Sequence, residues 1–153
     1  MADYFRRLAS HATRNHLAIV DPVSPETSTS IHHSYAQLLL RVTIFSERLI
    51  TAAQETQRHL EGARVGLMVP PGLDFVASLL AIWSVKAIEI THTVTDSRQE
   101  FIIYHAEYKT KISPLLQGRC CIDVTTIMPE ARPKKVVVPQ SQRHQLSPYY
   151  IAN

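Results

Sequence analysis

Histidine and cysteine are the residues of this chain that could hold a metal ion or act as a nucleophile. There are eight histidines and two cysteines among 153 residues. His32 and His33 are consecutive on a predicted strand, so they should point to opposite faces and cannot share an ion. His11 and His16 are five apart, a spacing that carries them off one helix face. With no C-x-x-C or H-x-x-x-H spacing beside them, we predict ordinary surface or core histidines and no metal site.

The adjacent pair Cys120-Cys121 could supply a thiol nucleophile to a distant histidine. Neighbouring cysteines seldom bridge each other, because a disulfide needs Cα atoms about 5.5 Å apart and adjacent residues lie closer. No disulfide framework is therefore expected, which fits a reducing compartment. We interpret both cysteines as small, apolar side chains.

Phosphate binding by a glycine-rich loop is the other chemistry to consider. The segment Pro70-Pro71-Gly72 precedes a predicted helix, whose free amides could face an anion, although Asp74 opposes that by its charge. We interpret the segment as a strand-to-helix turn. The four glycines are dispersed and none lies in a Ser/Thr-Gly cluster. No Walker loop, dinucleotide fingerprint or G-x-S-x-G turn is present. We therefore predict no catalytic, cofactor-binding or metal-binding residue.

The charge pattern limits the classes of partner. The formal net charge is +3, but the arginines are spread along the chain and only Arg132-Pro133-Lys134-Lys135 is a cluster. A nucleic-acid surface would concentrate that charge on one face, so no nucleic acid is expected. No segment approaches the ~20 apolar residues of a membrane span. The sequence favours the cytoplasm, with Arg6, Arg7 and Arg14 leaving a mitochondrial presequence as the alternative.

The pattern of apolar residues predicts an α/β fold with a mostly parallel, three-layer sheet and flanking helices. An apolar strand at residues 65–69, a helix from Leu73 and a second strand from Ala87 follow one another with short connections. A capping box at Ser97-Arg98-Gln99-Glu100 predicts another helix, with Phe101, Ile102, Tyr104 and His105 on its apolar side, and residues 110–113 then form a third strand.

The first part of the chain and its end complete the predicted elements. A helix with Phe5, Leu8, Ala9 and Ala12 as its buried stripe precedes two short strands at residues 17–20 and 30–33. Ser34-Tyr35-Ala36-Gln37 has the spacing of a capping box and opens a helix. The apolar stripe of this helix consists of Leu38, Val42, Phe45, Leu49 and Ala53. Residues 120–125 and 136–138 could each be strands, and residues 140–153 offer little to bury. The predicted core consists of Leu38, Val42, Phe45, Val65, Leu67, Val69, Phe75, Leu79, Leu80 and Trp83.

Across about residues 4–113 the sequence resembles the N-terminal subdomain of the adenylate-forming, AMP-binding acyl-CoA synthetases. The most specific piece is VGLMVPPGLDFVASLLAIW, residues 65–83. Phe5-Arg6-Arg7-Leu8, the Ser34-Tyr35-Ala36-Gln37-Leu38 helix start, Glu100 and Thr110-Lys111-Ile112 support it. The resemblance implies a partial N-terminal subdomain of that fold at residues 1–113, followed by a divergent and partly disordered tail at residues 114–153.

Departures from the family pattern bear on function. Lys86 stands where the family usually has a glycine in a left-handed turn, and Glu89 lies in a strand that is usually apolar. The family uses ATP, magnesium and coenzyme A. Its Ser/Thr/Gly-rich phosphate loop, its ribose-binding aspartate and its late lysine have no counterpart in these 153 residues.

Three functional hypotheses follow. The first is a truncated AMP-dependent ligase, inactive alone, whose family reaction converts a carboxylic acid to an acyl-adenylate and then a coenzyme A thioester. The second is a non-catalytic module that docks on a full-length ligase or supplies its missing half. The third is a small ligand-binding protein that uses the open end of the sheet.

Overall fold

The computed structural model describes residues 2–21, 30–90 and 99–126. The predicted strand at 136–138 and the tail at 140–153 lie outside these residues. The helices, in chain order, are α1 (Ala2–Thr13), α2 (Tyr35–Glu55), α3 (Leu73–Ser84) and α4 (Lys109–Ile112). The strands are β1 (Leu17–Val20), β2 (His32–Ser34), β3 (Arg64–Met68), β4 (Ile88–Ile90), β5 (Phe101–Tyr104) and β6 (Cys120–Asp123). Short 3₁₀ turns cover Ala106–Tyr108, Ser113–Leu115 and Val124–Thr126.

Four of the described strands form one sheet in the order β4-β3-β5-β6, and each neighbouring pair is parallel. Val65 of β3 lies opposite Phe101 of β5, which in turn lies opposite Cys120 of β6. The strands β1 and β2 form a separate antiparallel ribbon, with Val20 opposite His32. The predicted α/β class with a parallel sheet is confirmed, and the strand predicted within residues 120–125 is found at Cys120–Asp123.

Helices cover both faces of the sheet, which makes it the middle of three layers. One face carries Val65, Leu67, Phe101 and Ile103, and it packs with α2 and α3 in a single buried cluster. Ile102 and Tyr104 lie on the opposite face and pack with Ile112 of α4. Because β3 and β5 are covered on both sides, their sequences are nearly continuous apolar runs.

Helix α2 follows its sequence signals closely. Ser34 accepts a hydrogen bond from the Gln37 amide, and the Gln37 side chain accepts one from the Ser34 amide, so the predicted capping box is present. Its buried residues are Leu38, Val42, Phe45, Leu49 and Ala53, the predicted stripe. The signals were sufficient because both the cap and the 3.6-residue period are local features.

The helix predicted after the 97–100 capping box is wrong. Phe101–Tyr104 is the strand β5, which pairs with β3 on one side and β6 on the other, and all four of its side chains are buried. Four consecutive apolar residues satisfy a central parallel strand, which buries both faces, better than one side of a surface helix. The strand predicted at residues 110–113 is also wrong, since Lys109–Ile112 is the short helix α4 and a 3₁₀ turn begins at Ser113.

The predicted core is correct for its strand residues and for α2, but Trp83 is misplaced. Its side chain is 37% exposed, whereas α3 buries Ala77, Ser78, Leu80, Ala81 and Ile82. Small residues on this face allow α2 and α3 to approach closely, so the large indole lies at the rim. Phe75 and Leu79 are half-buried and pack against the core from its edge.

The three long helices end in the same closing motif. In each, a residue just past the helix has a positive φ: Asn15 at 51°, Gln57 at 54° and Lys86 at 59°. For α3, the Lys86 amide donates to the Trp83 carbonyl and the Ala87 amide to the Ile82 carbonyl, both at 3.1 Å. This pair of bonds is the Schellman arrangement, which satisfies the last carbonyls of a helix. Lys86 therefore adopts the left-handed turn in which the family usually has a glycine.

Candidate functional site

The carboxyl ends of β3 and β5 meet at one edge of the sheet, where parallel α/β folds usually bind ligands. The His105 amide donates to the Met68 carbonyl at 2.9 Å and ties these two strand ends together. Helix α3 begins at the same edge, directly after Gly72. Four charged or titratable side chains gather there, and we call them the carboxyl-edge cluster: Asp21, His33, Arg41 and Asp74.

Asp21 is the centre of this cluster. Its Oδ1 accepts a hydrogen bond from the Leu73 amide at 2.8 Å, and its Oδ2 accepts one from His33 Nε2 at 2.8 Å. The chain after β1 and the ribbon strand β2 are thereby fastened to the first turn of α3. A carboxylate at this position also suits the positive end of the helix dipole.

Gly72 makes the approach of Asp21 sterically feasible. Its φ is 144°, a conformation essentially confined to glycine, and a Cβ on it would lie 2.7 Å from Asp21 Oδ1. A side chain at position 72 would both strain the backbone and displace the Asp21 carboxylate. The Pro70-Pro71-Gly72 segment is therefore the strand-to-helix turn that the sequence predicted, with a tertiary role for its glycine that the sequence did not reveal.

The second carboxylate of the cluster, Asp74, lies in surroundings that disfavour its ionised form. Arg41 Nε lies 3.1 Å from Asp74 Oδ1. Burial nevertheless raises the pKa of the Asp74 carboxyl above its ordinary value, and the nearby Asp21 charge adds to that rise, while Arg41, His105 and His33 oppose it. Two carboxylates near one helix N-terminus leave this edge short of the positive charge that a phosphate requires.

The carboxyl-edge cluster does not fit the phosphates of ATP. The Leu73 amide at the N-terminal end of α3 already donates a hydrogen bond to Asp21. A phosphate bound there would be repelled by the negative charges of Asp21 and Asp74. The Asp21–His33 hydrogen bond also resembles a general-base pair. Among the described residues, however, no hydroxyl or thiol is hydrogen-bonded to His33, so that pair has no nucleophile to activate. The two hydrogen bonds of Asp21 therefore hold β2 and the first turn of α3 together.

Next to the contact between Asp21 and His33 lies a shallow, open depression. It is lined by Asn15, Leu17, His32, His33, Ser34 and Gln37. His32 and His33 diverge as predicted for consecutive strand residues: His32 Nε2 is hydrogen-bonded to Ser30 Oγ at 3.1 Å, whereas His33 turns to Asp21. The two imidazoles that line the depression therefore do not converge on a common ligand position.

The expected separation of His11 and His16 is wrong. Their Nδ1 atoms lie 3.1 Å apart, because the chain reverses at Asn15 and returns His16 to the end of α1. Sequence spacing could not show this, since it depends on a positive φ at a non-glycine residue. Among residues 2–21, 30–90 and 99–126, no group of three or more histidine, cysteine, aspartate or glutamate side chains could hold a metal ion together.

Cys120 and Cys121 are both free thiols. Burial is the main cause that raises the pKa of each thiol, with the neighbouring Cys120 adding to the rise at Cys121. The thiol of Cys121 is directed to backbone carbonyls of Leu116 and Arg119. A raised pKa lowers the fraction of thiolate, so neither residue has the surroundings of a reactive cysteine.

The opposite face of the sheet contains a buried polar side chain that the sequence did not single out. Gln99 is 3% exposed, and its side-chain amide has no hydrogen-bond partner within the described chain. It lies over Gly66, where an added Cβ would stand 2.5 Å from Gln99 Oε1. The glycine in the middle of β3 thus provides the room for this side chain.

None of the helices in the described ranges is both long and apolar enough to cross a membrane. In comparisons of the amino-acid sequence, no protein-family model and no curated protein matches the chain. Comparison of the structure gives a different result, because solved structures of one enzyme class match it with a probability of 1.00.

Three of these structures illustrate the match. The fatty acid AMP ligase from Legionella pneumophila has a TM-score of 0.60 and 19% identity, over 83% of this chain and 23% of the ligase. The N-terminal domain of FACL13 from Mycobacterium tuberculosis has a TM-score of 0.55 and 16% identity, over 88% of this chain and 37% of that one. A benzoate CoA ligase from Burkholderia xenovorans LB400 has a TM-score of 0.57 and 17% identity, over 78% and 24%.

The chain spans between about a quarter and two fifths of the solved chains it matches. Sequence identities below 20% establish a shared fold and carry no residue roles with them. The resemblance seen in residues 65–83 and the three-layer parallel sheet agree with this result. The protein has the fold of an N-terminal part of the adenylate-forming acyl-CoA synthetases and ligases.

Proposed function

We propose that these 153 residues act as a scaffold portion of an adenylate-forming ligase fold and do not activate carboxylates by themselves. The observation that carries the proposal is the hydrogen bond from the Leu73 amide to Asp21 Oδ1. It places an internal carboxylate at the helix N-terminus that opens onto the carboxyl edge of the sheet. The dispersed glycines offer no other cradle for a triphosphate.

The chemistry of adenylation explains why this arrangement should be catalytically inactive. Adenylation relies on preorganised donors and a metal ion placed around the transferring phosphates, and such electrostatic placement supplies much of the rate enhancement. The carboxyl-edge cluster presents two carboxylates to that region instead. Catalysis would then require further polypeptide, joined to this chain or supplied in trans.

Carboxylate-dependent exchange of pyrophosphate into ATP tests the proposal. The purified chain is assayed with magnesium and with aromatic and fatty acids of several lengths, next to an active acyl-CoA ligase as positive control. We expect no exchange above the protein-free blank, and circular dichroism confirms that the sample is folded. Reproducible exchange that chelation of magnesium abolishes would overturn the proposal.

A second candidate function is docking on a ligase or on the missing portion of one. Its support is two exposed apolar side chains near the β4 edge: Ile88 of β4 is 53% exposed and Trp83 of α3 is 37% exposed. Strand β4 pairs only with β3 among the described strands, which leaves it at an edge. Apolar side chains beside an edge strand suit the addition of another protein surface.

Size-exclusion chromatography with a separately expressed ligase remainder distinguishes the two candidates. Docking predicts a defined complex that Trp83→Lys and Ile88→Lys both weaken, whereas the exposed-surface variant Gln54→Lys does not. Separate elution at micromolar concentrations of both proteins would remove the docking candidate. Cell fractionation with an antibody would test the cytoplasmic location predicted from the sequence.

A further inference from the structure

The end of helix α1 carries two imidazoles that contact each other at the surface. His11 and His16 are both exposed, and their Nδ1 atoms are 3.1 Å apart. The ring centroids are separated by 5.3 Å with an interplanar angle of 43°. The two rings therefore meet through their nitrogens, without stacking on each other.

The backbone fixes this contact. The Asn15 amide donates to the Ala12 carbonyl at 3.1 Å, and the His16 amide donates to the His11 carbonyl at 3.3 Å. These two bonds form the Schellman arrangement, in which the residues at the places of His11 and His16 usually make an apolar contact. At the end of α3, Ile82 and Ala87 occupy the same two places and are buried. In α1 the apolar contact is replaced by a contact between two imidazole nitrogens.

Neighbouring residues hold both histidines before any ligand binds. The His11 ring stacks on the Tyr35 ring, with centroids 5.0 Å apart and an interplanar angle of 28°. The His16 carbonyl accepts a hydrogen bond from the Tyr35 amide at 3.0 Å. The start of α2 thus positions one imidazole through its ring and the other through its backbone, which lowers the entropic cost of binding.

We propose that His11 and His16 form a bidentate site for a divalent transition-metal ion of the zinc class, bound through both Nδ1 atoms. With metal–nitrogen distances of about 2.05 Å, two ligands on one ion lie about 2.9 Å apart at a right angle and about 3.4 Å apart at the tetrahedral angle. The observed 3.1 Å lies between these limits. Imidazole is a preferred ligand for zinc, copper and nickel, and water completes the coordination.

Binding requires a change of tautomer in one imidazole but no net gain or loss of protons. In the metal-free pair, one Nδ1–H donates to the lone pair of the other Nδ1. When the ion binds, that proton leaves Nδ1 and the ring carries its proton on Nε2 instead, so that both Nδ1 lone pairs point to the metal. Both histidines then remain neutral.

Calorimetric titration of the full chain with zinc chloride tests the site. We expect one ion to bind with an affinity that His11→Phe and His16→Asn each reduce at least tenfold, since loss of an outer partner alone typically costs about that much. The phenylalanine retains a ring to stack on Tyr35. The double variant should bind no more than a few-fold more weakly than either single variant, because one remaining ligand no longer chelates.

Two controls and one spectroscopic readout decide the outcome. His59→Asn, which changes an exposed histidine outside the pair, and the double variant Cys120→Ser/Cys121→Ser should each leave the affinity unchanged within about twofold. Long-range ¹H–¹⁵N spectra should show both His11 and His16 with the proton on Nε2 only when zinc is present. Undiminished zinc binding in the His11 and His16 variants, equal losses in the controls, or unchanged imidazole tautomers would show a hydrogen-bonded pair only and overturn the proposal.

Discussion

The two ends of helix α3 are held in different ways. Its C-terminal end is closed by neighbours in sequence, with Lys86 in a left-handed conformation and the Ala87 amide bonded to the Ile82 carbonyl. Its N-terminal end is completed by Asp21, 52 positions away from Leu73. A local end can be recognised from the sequence around it, whereas an end built by a distant side chain becomes evident only in the fold.

The largest effect is expected from Gly72→Ala at the distant-contact end. The new Cβ would stand 2.7 Å from Asp21 Oδ1 on a backbone with φ of 144°. Backbone strain and the loss of the Asp21 bonds should together lower the free energy of unfolding by about 2–4 kcal/mol. Chemical denaturation measures this change.

Gly62→Ala is the matched control for this substitution. Gly62 has a φ of 74°, and nothing lies within 4 Å of a Cβ built on it. It should therefore cost only the left-handed penalty of about 1 kcal/mol. If both variants lose the same amount, the contact with Asp21 does not contribute to stability.

Removing Asp21 itself should have the next largest effect. Asp21→Ala leaves the Leu73 amide and His33 Nε2 without their acceptors and should cost about 1–3 kcal/mol in thermal or chemical unfolding. Asp21→Asn retains one oxygen acceptor and should cost less. The surface variant Asp3→Ala should be close to neutral, and an equal loss there would indicate a general charge effect.

At the local end, Lys86→Gly should stabilise the protein. Glycine tolerates the φ of 59° and relieves about 1 kcal/mol of left-handed strain. The substitution also removes the exposed pair between Lys86 Nζ and Glu61 at 3.3 Å, which is worth little. Lys86→Ala loses the same ion pair without relieving the strain, so the difference between the two variants isolates the backbone. A glycine variant no more stable than the alanine variant would contradict the assignment.

The smallest effect concerns Asp74, whose folded-state pKa is raised above its ordinary value of 3.8, chiefly by burial. A raised carboxyl pKa means that ionisation costs more in the folded state, so the stability of the native chain falls as the pH rises from 3.8 through the folded pKa. Asp74→Asn cannot ionise. Its advantage in unfolding free energy should be absent well below pH 3.8 and should grow above it. A constant difference across that window would exclude the linkage.

The same contrast accounts for what the sequence could predict. The α2 cap at Ser34 and its buried stripe are confirmed, because each depends on residues within one or two helical turns. The 97–100 spacing and the apolar side that follows it predict a helix at residues 101–104. Only pairing with β3 and β6, tens of residues away on either side, makes them a strand.

The candidate sites follow the same rule. Asp21 falls in a stretch that the sequence shows only as a loop after a short strand, so nothing local marks it as a partner of α3. The contact between His11 and His16 required knowledge that Asn15 takes a positive φ. The periodicity of the apolar residues in α3 predicts Trp83 in the core, although the close approach of α2 favours the small side chains of Ala77 and Ala81. That no residue of the chain binds a cofactor stays a prediction.

The order of strands in the sheet has a consequence for how the polypeptide matures during synthesis. Strand β3 lies inside the sheet, yet both of its neighbours, β4 and β5, come later in the chain. Each parallel pairing waits for a crossover to be made, which raises the contact order and slows folding. As the chain emerges from the ribosome, the strand Arg64–Met68 is therefore without any partner until Ile88–Ile90 has been translated, and without its second partner until Phe101–Tyr104 has been translated. Over that interval it is the segment that a chaperone would be expected to cover.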